Sequence, residues 1–167
     1  MQENAKLRKW CALLTAVIVY FIVHEGCHAL AATCFGALER VRLLGLGVQV
    51  VVKQELLSDW QLGVFSIIGS IGTLLVAYLL LALTKNIVQT NSKLIKAIGY
   101  YTTFTMLLVD PIYMTFLYKF VGGGDMNGIK LLWLPELGWQ IIYGIIAIIN
   151  VLLIARYVYP AYKKAFN

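Results

Sequence analysis

Residues 10–33, WCALLTAVIVYFIVHEGCHALAAT, form an apolar run that is interrupted near its end by a short polar cluster. The hydrocarbon core of a bilayer is about 30 Å thick, and about 20 apolar residues in a helix are enough to cross it. Backbone polar groups inside lipid must be paired within their own segment, which requires a helix. The run therefore predicts a first transmembrane helix.

Basic residues precede this run, at Lys6, Arg8 and Lys9, as they do at the start of a secretory signal peptide. The apolar part is longer than a signal peptide needs, and no small-x-small cleavage site leads into polar sequence. We therefore expect a helix that stays in the protein.

The rest of the chain has the same apolar character. Of its 167 residues, 60% are hydrophobic and 13% charged, whereas soluble domains have about 45–50% apolar and about 25% charged residues. Further apolar runs of spanning length cover residues 62–83, 94–118 and 137–159. The composition excludes an ordinary soluble domain. It predicts a mainly α, multi-pass integral membrane protein with about four transmembrane helices, and residues 1–167 as one domain.

The formal net charge of the chain is +6, and its basic residues cluster beside the apolar runs. In that position they are expected to meet anionic lipid head groups, so the predicted partner is the lipid bilayer and not nucleic acid. More Lys and Arg residues flank the helix ends on the side of the two termini than on the other side. The positive-inside rule therefore predicts cytosolic termini.

The segment that follows the first predicted helix has a different pattern. Residues 38–52, LERVRLLGLGVQVVV, are rich in Val and Leu, alternate partly, and contain a Gly45-x-Gly47 break. These features predict a short β-hairpin. Its strand could simply lie on the surface, or its open edge could pair with an extended peptide.

A glycine-rich loop, FVGGGDMNG at residues 120–128, follows the third apolar run. Consecutive glycines release the backbone from helical geometry. We expect a short helix to resume at residues 129–134, before Pro135 interrupts it.

The polar cluster in the first predicted helix is His24-Glu25-Gly26-Cys27-His28, which matches the pattern HExxH. Residues four apart lie on one face of a helix, so the two imidazoles can hold one zinc ion, and Glu25 can act as a general base on the water beside it. A charged residue within the membrane is costly and is usually functional. The alternative is a hydrogen-bonded cluster that only fixes helix packing.

A catalytic zinc ion needs three protein ligands and one open position, and the chain has no third histidine. The aspartates are Asp59, Asp110 and Asp125. Asp125 follows the third predicted helix, which ends on the same side as the first, and its glycine-rich setting lets the backbone fold back. Asp125 is the preferred third ligand. Asp110 is the second candidate. It lies deeper on the third helix, so we expect it about 15 Å along the helix axis from the side where His28 ends.

These segments resemble the site-2 protease family of intramembrane zinc metalloproteases, in its compact stand-alone branch. His24-Glu25-x-x-His28 and the small apolar residues at 29–32 are similar to the family's first motif. The stretch GSIGTLL at residues 69–75 is similar to its small-residue motif on the next helix. Gly124-Asp125-x-x-Gly128 is similar to a reduced form of its Asp-Gly motif, without the preceding Asn-Pro.

The resemblance implies a zinc cofactor held by His24, His28 and Asp125, and hydrolysis of transmembrane or juxtamembrane substrate helices. It implies that an unwound substrate pairs with the edge strand at 38–52. It also implies a zinc site near the cytosolic face, whereas the charge distribution favours the outer face. Both orientations stay open.

Two functions are compatible with these features. In the first, Glu25 activates water to hydrolyse a peptide bond, and Asn127 contacts the oxyanion or substrate, unless it caps the next short helix. In the second, the chain is a non-catalytic membrane binding protein that retains a degenerate protease fold. Metal transport is disfavoured, because a transport pathway normally needs more polar residues.

Overall fold

The computed structural model describes residues 2–44, 47–122 and 124–166. Gly45, in the predicted hairpin turn, and Gly123, in the glycine-rich loop, lie outside the described residues. The elements up to the second predicted span are α1 (Gln2–Cys34), β1 (Leu38–Leu44), β2 (Gly47–Val52), a 3-10 turn (Gln54–Leu56) and α2 (Asp59–Ala82). The elements that follow are α3 (Thr84–Gln89), α4 (Lys93–Ile112), a π-helical turn (Tyr113–Leu117), α5 (Tyr118–Val121), α6 (Gly124–Ile129), α7 (Glu136–Leu153), a second π-helical turn (Ile154–Val158) and α8 (Tyr159–Phe166).

Four helical stretches are long and apolar enough to cross a membrane: Ala5–Cys34, Asp59–Ala82, Lys93–Val121 and Glu136–Phe166. Their outward faces carry exposed Leu and Ile side chains, among them Leu14, Ile22 and Ile148. Such a surface suits lipid, because the bilayer solvates apolar side chains. The predicted mainly α architecture with four spanning helices is confirmed.

The hairpin that was predicted after the first helix is also confirmed. β1 and β2 pair antiparallel, from Leu38 opposite Val52 to Leu44 opposite Gly47, with an irregularity between Leu38 and Arg40. Val50 is the buried residue of β2, and β2 packs against α1. The hairpin therefore lies against the helix that carries the HExxH sequence.

The face of α2 that packs into the bundle is made of small residues. Its buried positions are Gly63, Ser66, Gly69, Ser70, Thr73 and Ala77. Small side chains let helix backbones approach closely within a membrane, where packing rather than hydrophobic burial drives association. α2 accordingly packs against α1, α4 and α6 at once, and this places it at the centre of the site described below.

Pro111 lies inside α4 and has no N–H to donate to the carbonyl of Leu107, one turn earlier. Asn150 on α7 compensates: its Nδ2 donates to the Leu107 carbonyl at 2.6 Å, and its Oδ1 accepts from the Tyr78 hydroxyl at 3.0 Å. The helix therefore continues past the proline, and the hydrogen bond from Asn150 fixes the backbone near Asp110.

The short helix that follows the glycine-rich loop differs from its prediction. It covers Gly124–Ile129 rather than residues 129–134, and residues 130–134 form turns and bends. Gly122, at φ 99°, ends the preceding helix and redirects the chain. Burial of Met126, Gly128 and Ile129 outweighs the low helix propensity of glycine, so tertiary packing sets where this helix begins.

Candidate metal centre

His24 and His28 lie one turn apart on the face of α1 that packs against α2, and both side chains are buried. Their Nε2 atoms are 3.1 Å apart. Gly69 on α2 leaves the room for them: a Cβ atom there would lie 2.9 Å from Nε2 of His24 and closer still to Nε2 of His28. The imidazoles therefore occupy space that the small-residue face of α2 leaves open.

Asp125 reaches the same point from α6. Its Oδ2 lies 3.3 Å from Nε2 of His24, and its Oδ1 lies 3.6 Å from Nε2 of His28. α6 approaches α2 closely because Gly128 faces Ser66, with no space for a Cβ atom between them. The structure thus brings together the three residues that the sequence singled out as metal ligands.

The spacing of these donors fits a four-coordinate metal ion. With bonds of about 2.0–2.1 Å, tetrahedral ligands lie about 3.3–3.4 Å from one another. The two Nε2 atoms are 3.1 Å apart, and the Asp125 carboxylate lies 3.3 Å from His24 through Oδ2 and 3.6 Å from His28 through Oδ1. One ligand atom from each of the three residues lies within 4.8 Å of the other two. Two imidazole nitrogens and one carboxylate oxygen could therefore hold a metal ion and leave a fourth position open.

Hydrogen bonds at the other ring nitrogens orient both imidazoles. Nδ1 of His28 lies 2.7 Å from the Phe65 carbonyl, which can only accept, so Nδ1 carries the proton. Nδ1 of His24 lies 3.3 Å from Oδ1 of Asp110. Each Nε2 is then left with a free lone pair, which is the form of histidine that binds a metal.

Asp125 is suited to bind a metal ion through an ionised carboxylate. When the imidazoles are protonated, their Nε2 atoms donate to this carboxylate. Burial opposes ionisation of the carboxyl group, but these hydrogen bonds outweigh it and hold the pKa of Asp125 below its usual range. The carboxylate therefore presents lone pairs toward the two imidazoles.

The expected separation of Asp110 from the histidines is wrong. Its carboxylate contacts the Nδ1 side of His24, while Asp125 lies at the Nε2 side. His24 and Asp110 lie at similar distances from the ends of their spans, Cys34 and Val121. Since α1 and α4 pack directly together, the two residues meet at the same depth. Asp110 contacts one of the candidate ligands, His24, and is not among the three converging donors.

Two further residues of this site were not identified from the sequence. The Tyr20 hydroxyl donates to Oδ1 of Asp110 at 2.5 Å, and the Thr73 hydroxyl donates to Oδ2. Tyr20 precedes His24 by four residues, which puts both on one helix face, and that spacing was the available signal for Tyr20. Nothing in the sequence indicated that Thr73 faces Asp110.

Glu25 contacts the hairpin. Its Oε2 accepts a hydrogen bond from the Val50 backbone N–H at 2.9 Å. Glu25 and the three converging residues all line one cavity of about 1510 Å³, whose other lining residues come mainly from α1, β2, α2, the third span and α6. Glu25 and the candidate metal ligands therefore face the same cavity.

Asn127 is exposed at the wall of this cavity, and its Oδ1 accepts from Nζ of Lys130 at 3.2 Å. It lies within α6, so it does not cap the helix from outside. Its amide group remains available to a molecule in the cavity.

Comparison of the chain with models of protein families, with curated proteins and with solved structures finds no match. The HExxH sequence, the converging donors and the cavity around them are therefore the basis on which a function can be assigned.

Proposed function

We propose that this chain is a multi-pass integral membrane zinc metalloprotease that hydrolyses peptide bonds of transmembrane or juxtamembrane substrates. One observation carries the proposal: one donor atom each of His24, His28 and Asp125 lies within 4.8 Å of the other two, within a bundle of helices long enough to span a membrane. Glu25 lies next to one of these donors in the sequence and lines the same cavity.

The ligand set supports zinc as the cofactor. Two histidines and one carboxylate are a common donor set of catalytic zinc sites, in which the fourth position stays open for water or substrate. The nitrogen-rich set is less suited to calcium or magnesium, which prefer oxygen ligands. The resemblance of the three motifs to the site-2 protease family points to the same cofactor.

A bound zinc ion would supply Lewis acidity, which activates water and a peptide carbonyl at neutral pH. Glu25 accepts a proton from the attacking water as the carbon–oxygen bond forms. It then passes that proton to the amide nitrogen as the carbon–nitrogen bond breaks. Asn127, on the wall of the same cavity, donates a hydrogen bond to the carbonyl oxygen as negative charge develops there.

The hairpin gives an extended substrate a place to bind. β2 pairs with β1 on one side, and in the part of the chain that the structure describes its other edge carries no strand. The Val50 N–H on that open edge points at Glu25. A peptide that pairs with this edge passes beside Glu25, since main-chain hydrogen bonds hold such a peptide in register.

The decisive experiment is Glu25→Gln in the purified protein, with zinc content and cleavage of a single-span membrane substrate measured on the same preparation. Glutamine keeps an oxygen that can accept from Val50 N–H but cannot take up a proton. We expect near-wild-type zinc content and loss of cleavage.

Glu55→Gln is the matched control, because Glu55 is exposed in the turn after the hairpin and should cleave like the wild type. Cleavage by Glu25→Gln at the wild-type rate would refute the mechanism. Failure of the wild-type chain to bind zinc would favour the alternative of a non-catalytic membrane binding protein.

A further inference from the structure

We infer that Asp110 is a positioning residue that fixes the ring of His24 as a metal ligand, and that Tyr20 and Thr73 hold Asp110 for this task. The inference rests on the proposed metal centre and assigns to Asp110 a role other than that of a ligand. Its basis is a set of contacts that link three helices around one carboxylate.

The first contact is between Asp110 and His24. Nδ1 of His24 lies 3.3 Å from Oδ1 and 3.4 Å from Oδ2 of Asp110, and both side chains are buried. A carboxylate accepts and does not donate, so Nδ1 carries the proton and Nε2 keeps its lone pair. A carboxylate that accepts from the outer nitrogen of a histidine also fixes the rotation of the ring and makes it a better donor to the metal.

The second set of contacts holds the carboxylate itself. Tyr20 on α1 donates to Oδ1, and Thr73 on α2 donates to Oδ2. Each oxygen of Asp110 thus accepts from one hydroxyl group, and the His24 N–H lies between the two oxygens. Three donors converge on one acceptor-only group, so the carboxylate cannot rotate without breaking a hydrogen bond.

The backbone next to Asp110 is fixed as well. Pro111 leaves the Leu107 carbonyl without its helical donor, and Asn150 supplies one from α7. A carboxylate buried between membrane-spanning helices is costly unless its hydrogen bonds are complete. If Asp110 only joined the helices, its carboxylate would not need to face Nδ1 of His24, the ring nitrogen that does not point at the candidate metal position.

The test is the zinc dissociation constant of the full chain in detergent, measured by competition with a chelator for three variants. In Asp110→Asn, the amide NH₂ faces a donor, so one hydrogen bond is lost, and we expect zinc affinity to fall by about 10–100-fold. Tyr20→Phe and Thr73→Val remove one donor each, so affinity should fall in the same direction but by less.

Matched substitutions separate positioning from packing. Thr73→Ser keeps the hydroxyl group and should restore an affinity close to that of the wild type. Thr103→Val removes an equally buried hydroxyl, but one that donates to the Gly99 carbonyl of its own helix and not to Asp110, so it should leave zinc affinity unchanged. Melting of the metal-free variants, followed in parallel, shows whether any loss of affinity is merely a loss of fold.

NMR spectroscopy can report directly on the hydrogen bond of the His24 ring. The chain has only two histidines, so the ring nitrogens of both can be followed by ¹⁵N NMR in the metal-free protein. We expect Asp110→Asn to change the Nδ1 signal of His24 and to leave that of His28, which faces the Phe65 carbonyl, in place.

Wild-type zinc affinity in Asp110→Asn, Tyr20→Phe and Thr73→Val, with an unchanged His24 signal, would overturn the inference while leaving the metal centre intact. Absence of zinc binding in the wild-type chain would overturn the metal centre and the inference together.

Discussion

Gly69 on α2 faces His24 on α1 at such short range that a Cβ atom at Gly69 would lie 2.9 Å from Nε2 of His24. The same added atom would come even closer to Nε2 of His28. The space that a glycine leaves on one helix is therefore the space in which two nitrogen donors of the neighbouring helix meet.

Gly69→Ala should accordingly disrupt the metal centre. The methyl group has to displace one or both imidazoles, because the helix backbones are already close. We expect zinc content to fall at least tenfold, with a smaller effect on helix content. Gly26→Ala is the control, since a Cβ atom there meets nothing within 4 Å. Equal zinc content in both variants, measured by metal analysis, would show that the two helices separate easily and that Gly69 has no special role.

Asp125→Ala should lower zinc content and abolish cleavage. It removes one of three donors, and the two histidines alone hold a metal ion only weakly. Asp125→Asn keeps the shape but loses the charge, so it should retain more zinc than Asp125→Ala. If Asp125→Ala bound zinc as tightly as the wild type and Asp110→Ala did not, the two aspartates would have exchanged roles.

Gly128→Ala tests how Asp125 reaches the site. An added Cβ atom at Gly128 would collide with the Ser66 side chain, so α6 has to move away from α2 and take Asp125 with it. We expect weaker zinc binding although no ligand is changed. The matched control is Gly144→Ala, where the nearest atom would lie at an ordinary contact distance of 3.6 Å. Zinc binding as tight in Gly128→Ala as in this control would mean that Asp125 does not depend on the close approach of α6.

Asn150→Ala should destabilise the bundle by about 1–2 kcal/mol, because it leaves the buried Leu107 carbonyl without a donor. Pro111→Ala restores an N–H that can donate to that carbonyl. The double variant should therefore lose less stability than the sum of the two single changes. Unfolding in detergent micelles measures all three, and strictly additive losses would show that Asn150 acts through packing alone.

Several parts of the fold could be predicted because they depend on local sequence. The lengths of the apolar runs predict spanning helices, since lipid leaves the backbone no other way to pair its polar groups. The alternating Val-rich segment predicts the hairpin that β1 and β2 form. The four-residue spacing of His24 and His28 puts them on one helix face in any context.

The rest was decided by tertiary structure. Distances along one helix axis could not show that Asp110 contacts His24, because this contact depends on how α4 packs against α1. The start of α6, and with it the position of Asp125, depends on burial of glycine-rich sequence against α2, where local propensity disfavours a helix. Tyr20 and Thr73 acquire their partner only when α1, α2 and α4 pack together. The sequence alone determined the spanning helices and the pair of histidines, because helix geometry and lipid act locally. Only the packing of small residues between helices decided which carboxylate faces the Nε2 atoms of the two histidines and which one faces Nδ1 of His24.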